Sequence, residues 1–204
     1  MKVLRVPFWK RSLDLFVSCP ALLLLLPVLG AIAALIKLDS RGPVFFRQER
    51  IGQGLRPFTI YKFRTMSADA PLKGGLLTVP EDLRVTRLGR ILRKFKLDEL
   101  PQLFNVLRGD MSLVGPRPEV SRYVELFRHE YQEILRVRPG MTDLASLKYR
   151  EESDFLRLAI DPEHEYVTRI LPDKIALARE YVRRSSLSFD TSLIFKTLLR
   201  VFVR

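Results

Sequence analysis

Cysteine is almost missing: Cys19 is the single one among 204 residues, which excludes an internal disulfide. Histidine is nearly as scarce, and His129 and His164 stand too far apart for a metal-ligand spacing, so the sequence gives no zinc motif. There is no Walker loop, serine nucleophile elbow, internal repeat or long low-complexity tract. Acidic residues are the scarcer charge, 23 Asp+Glu against 35 Lys+Arg, and the net +12 implies an anionic partner. Nucleic acid, an acidic membrane surface and a phosphorylated substrate all satisfy that sign. With 47% hydrophobic residues the chain is expected to build one ordinary core.

What is present begins with a long apolar run. From Leu15 to Ile36, LFVSCPALLLLLPVLGAIAALI, there is no charged residue. A bilayer needs about 20 apolar residues, so the run is long enough to span one. Pro20 and Pro27 interrupt it, and each removes a backbone donor and favours a kink. Lys10 and Arg11 precede the run while Lys37 and Arg41 follow it, which draws both ends toward the cytoplasm. On residues alone a straight span and a bent helix that re-enters its own leaflet both stay open. The preceding MKVLRVPFWKRSLD mixes cations with Phe8 and Trp9, as suits a headgroup layer.

PVFFRQERIGQGLRPFTIYKFRTM then predicts two short strands, Val44 to Glu49 and Phe58 to Phe63, joined through Gly52 and Gly54. Lys62 and Arg64 alternate with Tyr61 and Phe63, so both cations belong to one face. Ser67 to Pro80, with Gly74-Gly75 and two prolines, predicts a loop. Helical patterns follow over Glu81 to Phe95, Glu119 to Arg136, Asp154 to Ile160 and Leu171 to Arg184. An amphipathic terminal segment begins at Asp190, with Leu193, Ile194, Thr197, Leu198, Val201 and Phe202 on one face. That segment suits either core packing or a headgroup layer.

The most informative stretch is Leu97 to Glu119, LDELPQLFNVLRGDMSLVGPRPE. Asp98 and Glu99 precede Leu100, Leu103, Phe104 and Leu107, which fall at i, i+3, i+4 and i+7. This predicts a helix that buries that face and carries the acidic pair at its amino end, where amides favour anions. Arg90, Arg93, Lys94 and Lys96 precede the pair, and Arg108 and Arg117 follow it. So basic a setting should keep both carboxylates ionised. An ionised Asp among cations supplies the parts of phosphoryl transfer: a nucleophile, a metal ligand and charge neutralisation. An N-cap with a first-turn acid on an ordinary helix is the plain alternative.

This block resembles the signature of the small monotopic phosphoglycosyl transferases, the bacterial sugar transferases that begin glycoconjugate assembly on polyprenol phosphate. PVFFRQERIG, YKFRTM and RPGMTDLA extend the resemblance over about Lys10 to Thr197. It implies an α+β monotopic membrane protein with a proline-broken re-entrant helix over residues 1–40, its break at Pro20. A catalytic domain over residues 41–204 would follow, with a short β-hairpin and amphipathic interfacial helices, on the cytoplasmic face of the bacterial inner membrane. The implied reaction moves a sugar-1-phosphate from a UDP-sugar to undecaprenyl phosphate through an aspartyl-phosphosugar, releasing UMP. In that scheme Asp98 is the nucleophile and a Mg2+ ligand, and Glu99 is a base or second ligand. Lys62, Arg64, Arg93 and Arg117 bind phosphate. The implied partners are these two substrates and membrane lipid, without nucleic acid; the oligomeric state, a homodimer included, stays open. The chain departs from the family pattern at Cys19, where serine is common before the proline, and at Asp143 and Ser146, where glycine and glutamine are common. The last two bear on sugar identity. The rival reading is a non-enzymatic basic protein on an anionic membrane surface.

Overall fold

Helix α1, Phe8–Asp39, is the longest element and begins just after Pro7. Its first turns are tied into the protein by polar groups. Lys10 Nζ donates to the Val114 carbonyl at 2.9 Å and pairs with Asp190 Oδ2 at 2.5 Å, and Arg11 donates to the Val106 and Leu107 carbonyls at 2.7 and 2.8 Å. Asp14 Oδ1 accepts from Ser112 Oγ and the Leu113 amide, both at 2.9 Å. Pro20 and Pro27 lie inside the helix, whose backbone lacks two donors along the apolar run, but the helix continues through Pro20 and is not interrupted at the expected break. One side, with Leu22, Leu29, Ile32 and Ile36, is buried; the other leaves Phe16 80% and Leu24 79% exposed. Lipid-facing packing explains such a surface better than water does.

The computed structural model describes residues 3–67, 70, 82–150 and 152–202. After α1, strands β1 (Phe45–Ile51) and β2 (Pro57–Phe63) pair antiparallel, Phe45 opposite Phe63 and Ile51 opposite Pro57. The hairpin is the expected one; β1 begins a residue later and ends two later than expected, and β2 begins a residue earlier. Gly54 takes φ +76 in the connection, a conformation that suits glycine. Of the expected loop from Ser67 to Pro80, all but Ser67 and Ala70 lie outside the described residues.

Helix α2 spans Arg87–Lys94, shorter than the expected Glu81 to Phe95. Thr86 caps it by accepting from the Gly89 amide at 3.0 Å, and Val85 instead bridges Met66. A 3₁₀ turn, Leu97–Glu99, leads to α3, Gln102–Arg108. The buried side of α3 is Gln102, Leu103, Asn105 and Val106, whereas Phe104 is 40% exposed; the face is rotated from the expected one. The reason is Asn105, whose amide group donates to the Thr59 carbonyl at 2.7 Å and accepts from the Tyr61 amide at 3.1 Å, docking α3 on β2.

Strand β3 (Ser112–Val114) pairs parallel with β4 (Gly140–Thr142). Between them, the helix expected from Glu119 to Arg136 divides into α4 (Ser121–Leu126) and α5 (Arg128–Ile134) at Phe127. The break lets Tyr123 and Val124 enter the same core as Tyr131 and Ile134 while Leu126 faces out. Short helices α6 (Leu144–Lys148), α7 (Glu152–Arg157) and α8 (Pro162–Glu165) follow. The helix expected to reach Ile160 stops at Arg157, because Asp161 caps a new start with Pro162 in its first turn. A π-helical turn, Tyr166–Ile170, runs into α9, Leu171–Arg184, with the expected bounds. Helix α10, Leu187–Phe202, buries Asp190 and Leu193 and exposes Phe195, Leu198 and Leu199. One core cluster joins α1, β2, α2, α3, β3 and α10; a second lies among α4, α5 and α9.

Candidate active site

Asp98 and Glu99 sit in the 3₁₀ turn between α2 and α3. The chain enters it through Lys96, whose φ of +56 reverses direction within one residue at a conformational cost of about 1 kcal/mol. The pair therefore precedes α3 by a turn. The Leu103 and Phe104 amides already bond to the Leu100 and Pro101 carbonyls, so these two are not offered to a phosphate.

Two cations from different elements meet on Glu99. Lys62 Nζ, from β2, donates to Glu99 Oε1 at 2.8 Å. Arg117, from the loop after β3, donates to the same oxygen and to Oε2, the latter at 3.4 Å. Burial pushes the Glu99 carboxyl up, but Arg117 and Lys62 outweigh it and hold Glu99 well below the usual carboxylate range. Burial pulls Lys62 down against the opposing pull of Glu99. For Arg117 the Glu99 charge dominates and raises its affinity for the proton.

Asp98 is in a different state. It is 8% exposed, and its Oδ1 finds no hydrogen-bond partner among the described residues. Burial and then the Glu99 charge push its carboxyl up, with Lys62, Lys96 and Arg93 opposing. The two neighbouring carboxylates are thus unequal, one locked as an anion and the other unpaired.

Arg93 is placed by backbone contact. Gly89, one turn earlier on α2, lies so close to the end of β2 that a Cβ there would stand 2.1 Å from the Thr65 carbonyl oxygen. That approach lets Arg93 Nε donate to Thr65 Oγ1 at 2.8 Å, with the Asp98 charge acting on the guanidinium. Arg64 lines one cavity with these residues but commits donors to the end of α1. It donates to the Ser40 and Arg41 carbonyls at 2.7 and 3.0 Å and to Ser40 Oγ at 2.9 Å, closing the carboxyl end of α1. Alternation does place Lys62 and Arg64 on one face, but α1 ends beside Arg64.

Arg117 is oriented from behind by Asp143. One Asp143 oxygen accepts the Arg117 amide at 3.1 Å, and the other caps α6 through the Ser146 amide at 2.6 Å. The adjoining backbone is tight: a Cβ on Gly140 would meet the Gly115 nitrogen at 2.0 Å.

A cavity of about 1860 Å³ is lined by Lys62, Arg64, Arg93, Asp98, Glu99 and Arg117. Val17, Ala21 and Leu25 of α1 and Ile194 and Leu198 of α10 give it an apolar wall. Glu119, Tyr166 and Lys174 give it a polar one.

A model of the bacterial sugar transferase family matches residues 5–204. The chain belongs to this family. It is 41% identical over 94% of its length to a UDP-N-acetylgalactosamine-undecaprenyl-phosphate N-acetylgalactosaminephosphotransferase of Aeromonas hydrophila, covering 43% of that protein. It is 42% identical, again over 94%, to an undecaprenyl-phosphate glucose phosphotransferase of Komagataeibacter xylinus, covering 35% of it. This chain therefore spans less than half the length of those two relatives. The exopolysaccharide production protein PSS of Rhizobium leguminosarum bv. phaseoli is 41% identical over 96% of both chains.

In this sugar transferase chain, no group of three or more His, Cys, Asp or Glu side chains able to hold a metal occurs among the described residues. The orphaned Asp98 Oδ1 nevertheless fits Mg2+, which takes oxygen from one or two carboxylates and leaves its other positions to water and substrate phosphate. Sequence reasoning had Thr65 only as part of the YKFRTM motif, without its contact to Arg93, and assigned no role to the group around Glu119. Only the position of Glu119 at the end of the GPRPE run could have signalled it.

Proposed function

We propose that the protein transfers a sugar-1-phosphate from a UDP-sugar to a polyprenol phosphate, undecaprenyl phosphate by analogy with its relatives' names, at the cytoplasmic face of the bacterial inner membrane. The observation that carries this is the unequal pair: an unpartnered Asp98 oxygen beside a Glu99 locked by Lys62 and Arg117, in a cavity with one apolar wall.

An Asp98 oxygen attacks the sugar-proximal phosphorus, and the bond from that phosphorus to the bridging oxygen breaks. UMP leaves with the bond pair, and the sugar phosphate stays on Asp98. An oxygen of the polyprenol phosphate then attacks the same phosphorus, the aspartyl bond breaks, and the lipid diphosphate sugar departs with Asp98 restored. Lys62, Arg93 and Arg117 neutralise phosphate charge, and Glu99 keeps Lys62 and Arg117 aimed at it. Mg2+, held by Asp98, would screen the diphosphate so that a carboxylate can approach. Splitting the reaction spares the enzyme from holding a soluble and a lipid substrate at once.

The membrane arrangement proposed is re-entrant, with α1, helical without interruption through Pro20 and Pro27, bending at its prolines and entering and leaving through one leaflet. Its support is that both ends are tied to the same body, the first turns by Lys10, Arg11 and Asp14 and the last by Arg64. Single cysteines at positions 5 and 41 of a Cys19→Ser protein should label from one side of sealed vesicles. Labelling from opposite sides would establish a span.

For the reaction, UMP release is measured from a panel of UDP-sugars with undecaprenyl phosphate and Mg2+. At least one sugar should be turned over, and inactivity toward all would refute the proposal. The two relatives whose names state a sugar differ in it, so the panel must include glucose and N-acetylgalactosamine.

A further inference from the structure

The polar wall of the cavity carries a connected group that the steps above leave unused. Tyr166 Oη donates to Glu119 Oε1 at 2.7 Å, and Glu119 Oε2 accepts from Arg50 at 3.2 Å. Lys174 lies 4.8 Å over the Tyr166 ring, with its ammonium 3.4 Å from the hydroxyl, and pairs closely with Glu152. An ammonium has three donors, and Tyr166 and Glu152 take two of them. Lys174 and Glu152 keep 13% and 27% of their side chains exposed, so the pair opens to the cavity it lines.

A cation and an anion side by side offer one donor and one acceptor to neighbouring hydroxyls. They offer little to a nucleobase, which is held largely by stacking. The rings here are already engaged: Tyr166 carries Lys174 and the Tyr123 ring, at 4.9 Å, and Tyr149 carries Lys148 and the Phe155 ring, at 5.5 and 6.2 Å. The reaction order points the same way. The sugar phosphate persists through both steps while UMP leaves and the lipid enters, so its subsite needs polar partners rather than the apolar lining residues of α1 and α10.

We propose that Lys174 and Glu152 form the subsite that reads the hydroxyls of the transferred sugar, and that Tyr166 and Glu119 are positioning residues for Lys174. This rests on the transferase reading.

The test compares full-length wild type, Lys174→Met, Glu152→Gln and Tyr166→Phe in detergent, with UDP-sugars that differ at one hydroxyl or by an N-acetyl group, and with UMP as competing product. Lys174→Met and Glu152→Gln should lower kcat/KM for the preferred sugar about tenfold or more and compress its ratio to the epimer, leaving the UMP inhibition constant within about twofold. Tyr166→Phe should shift the same ratio less. A raised UMP constant with an unchanged ratio would place the nucleoside here and overturn the proposal, as would no change in either. A wild type inert toward every UDP-sugar would overturn the transferase reading itself. Should Lys174→Met fail to fold, Glu152→Gln, at the more exposed end, decides the matter.

Discussion

Replacing Arg117 with alanine separates the two ways in which this guanidinium can act. Glu99 would be left with Lys62 alone. The side chains of the broken pair are 31% and 15% exposed, so the loss falls below the roughly 3–5 kcal/mol of a fully buried pair and above a surface pair, at about 2 kcal/mol. If Arg117 acts only by holding Glu99, kcat/KM should fall by no more than about 30-fold, the factor reached if the whole of that roughly 2 kcal/mol were lost from the transition state. If it also contacts the phosphate as charge develops, the loss should reach about 10²–10³-fold. Arg117→Lys keeps the charge but not the two-pronged contact and should recover only part. The assay is steady-state UMP release across pH. Without Arg117, burial pushes Glu99 up with less opposition, so an acid limb absent from wild type should appear. The linkage sign is fixed by Glu99's lowered folded-state value. Its ion pairs stabilise the fold above the unfolded value, and that contribution is lost as pH falls through the folded one. The stability gap between wild type and variant should therefore be full at neutral pH and close in acid. Wild-type kcat/KM and pH profile in Arg117→Ala would refute the reasoning.

Asp98→Asn should melt at or above the wild-type temperature at neutral pH without Mg2+, by about 1 kcal/mol, because it removes an unpaired buried carboxylate. The raised folded-state value of Asp98 makes its cost grow as pH rises through that value, so the gain should vanish in acid; a lower melting point at neutral pH would contradict this. Arg64→Met should destabilise the protein by about 2–3 kcal/mol yet leave KM for the UDP-sugar unchanged, since its donors close the end of α1. A raised KM with normal stability would return Arg64 to the phosphate group. Gly89→Ala must push α2 away from the Thr65 carbonyl, costing about 1–3 kcal/mol and about tenfold in kcat/KM through Arg93; wild-type values would show that the close approach is unimportant.

Where one physical rule governs, the sequence is a good guide. Helix α9 has its expected bounds because its apolar period and the charged last turn agree, and the β1–β2 hairpin follows from its alternation and glycines. Lys62, Arg93, Asp98, Glu99 and Arg117 were all legible as one cavity lining, from the family resemblance more than from spacing. The sequence is a poorer guide where distant groups compete for a side chain. Arg64 shares a strand face and a cavity with Lys62, but local alternation cannot reveal that the end of α1 arrives there and takes up its donors. Phe127 carries no breaking residue type, and α4 and α5 divide there because two segments must reach one core. Nor could adjacency of Asp98 and Glu99 show that only Glu99 receives Lys62 and Arg117.

The most direct measurement incubates the protein with Mg2+ and a UDP-sugar labelled on the sugar-proximal phosphate, without lipid acceptor, and maps the label on the denatured protein. The account requires about one label per active chain, attached at Asp98, absent from Asp98→Asn and discharged by undecaprenyl phosphate. An enzyme that turns over with lipid yet never carries label, or one that carries it equally in Asp98→Asn, would contradict it.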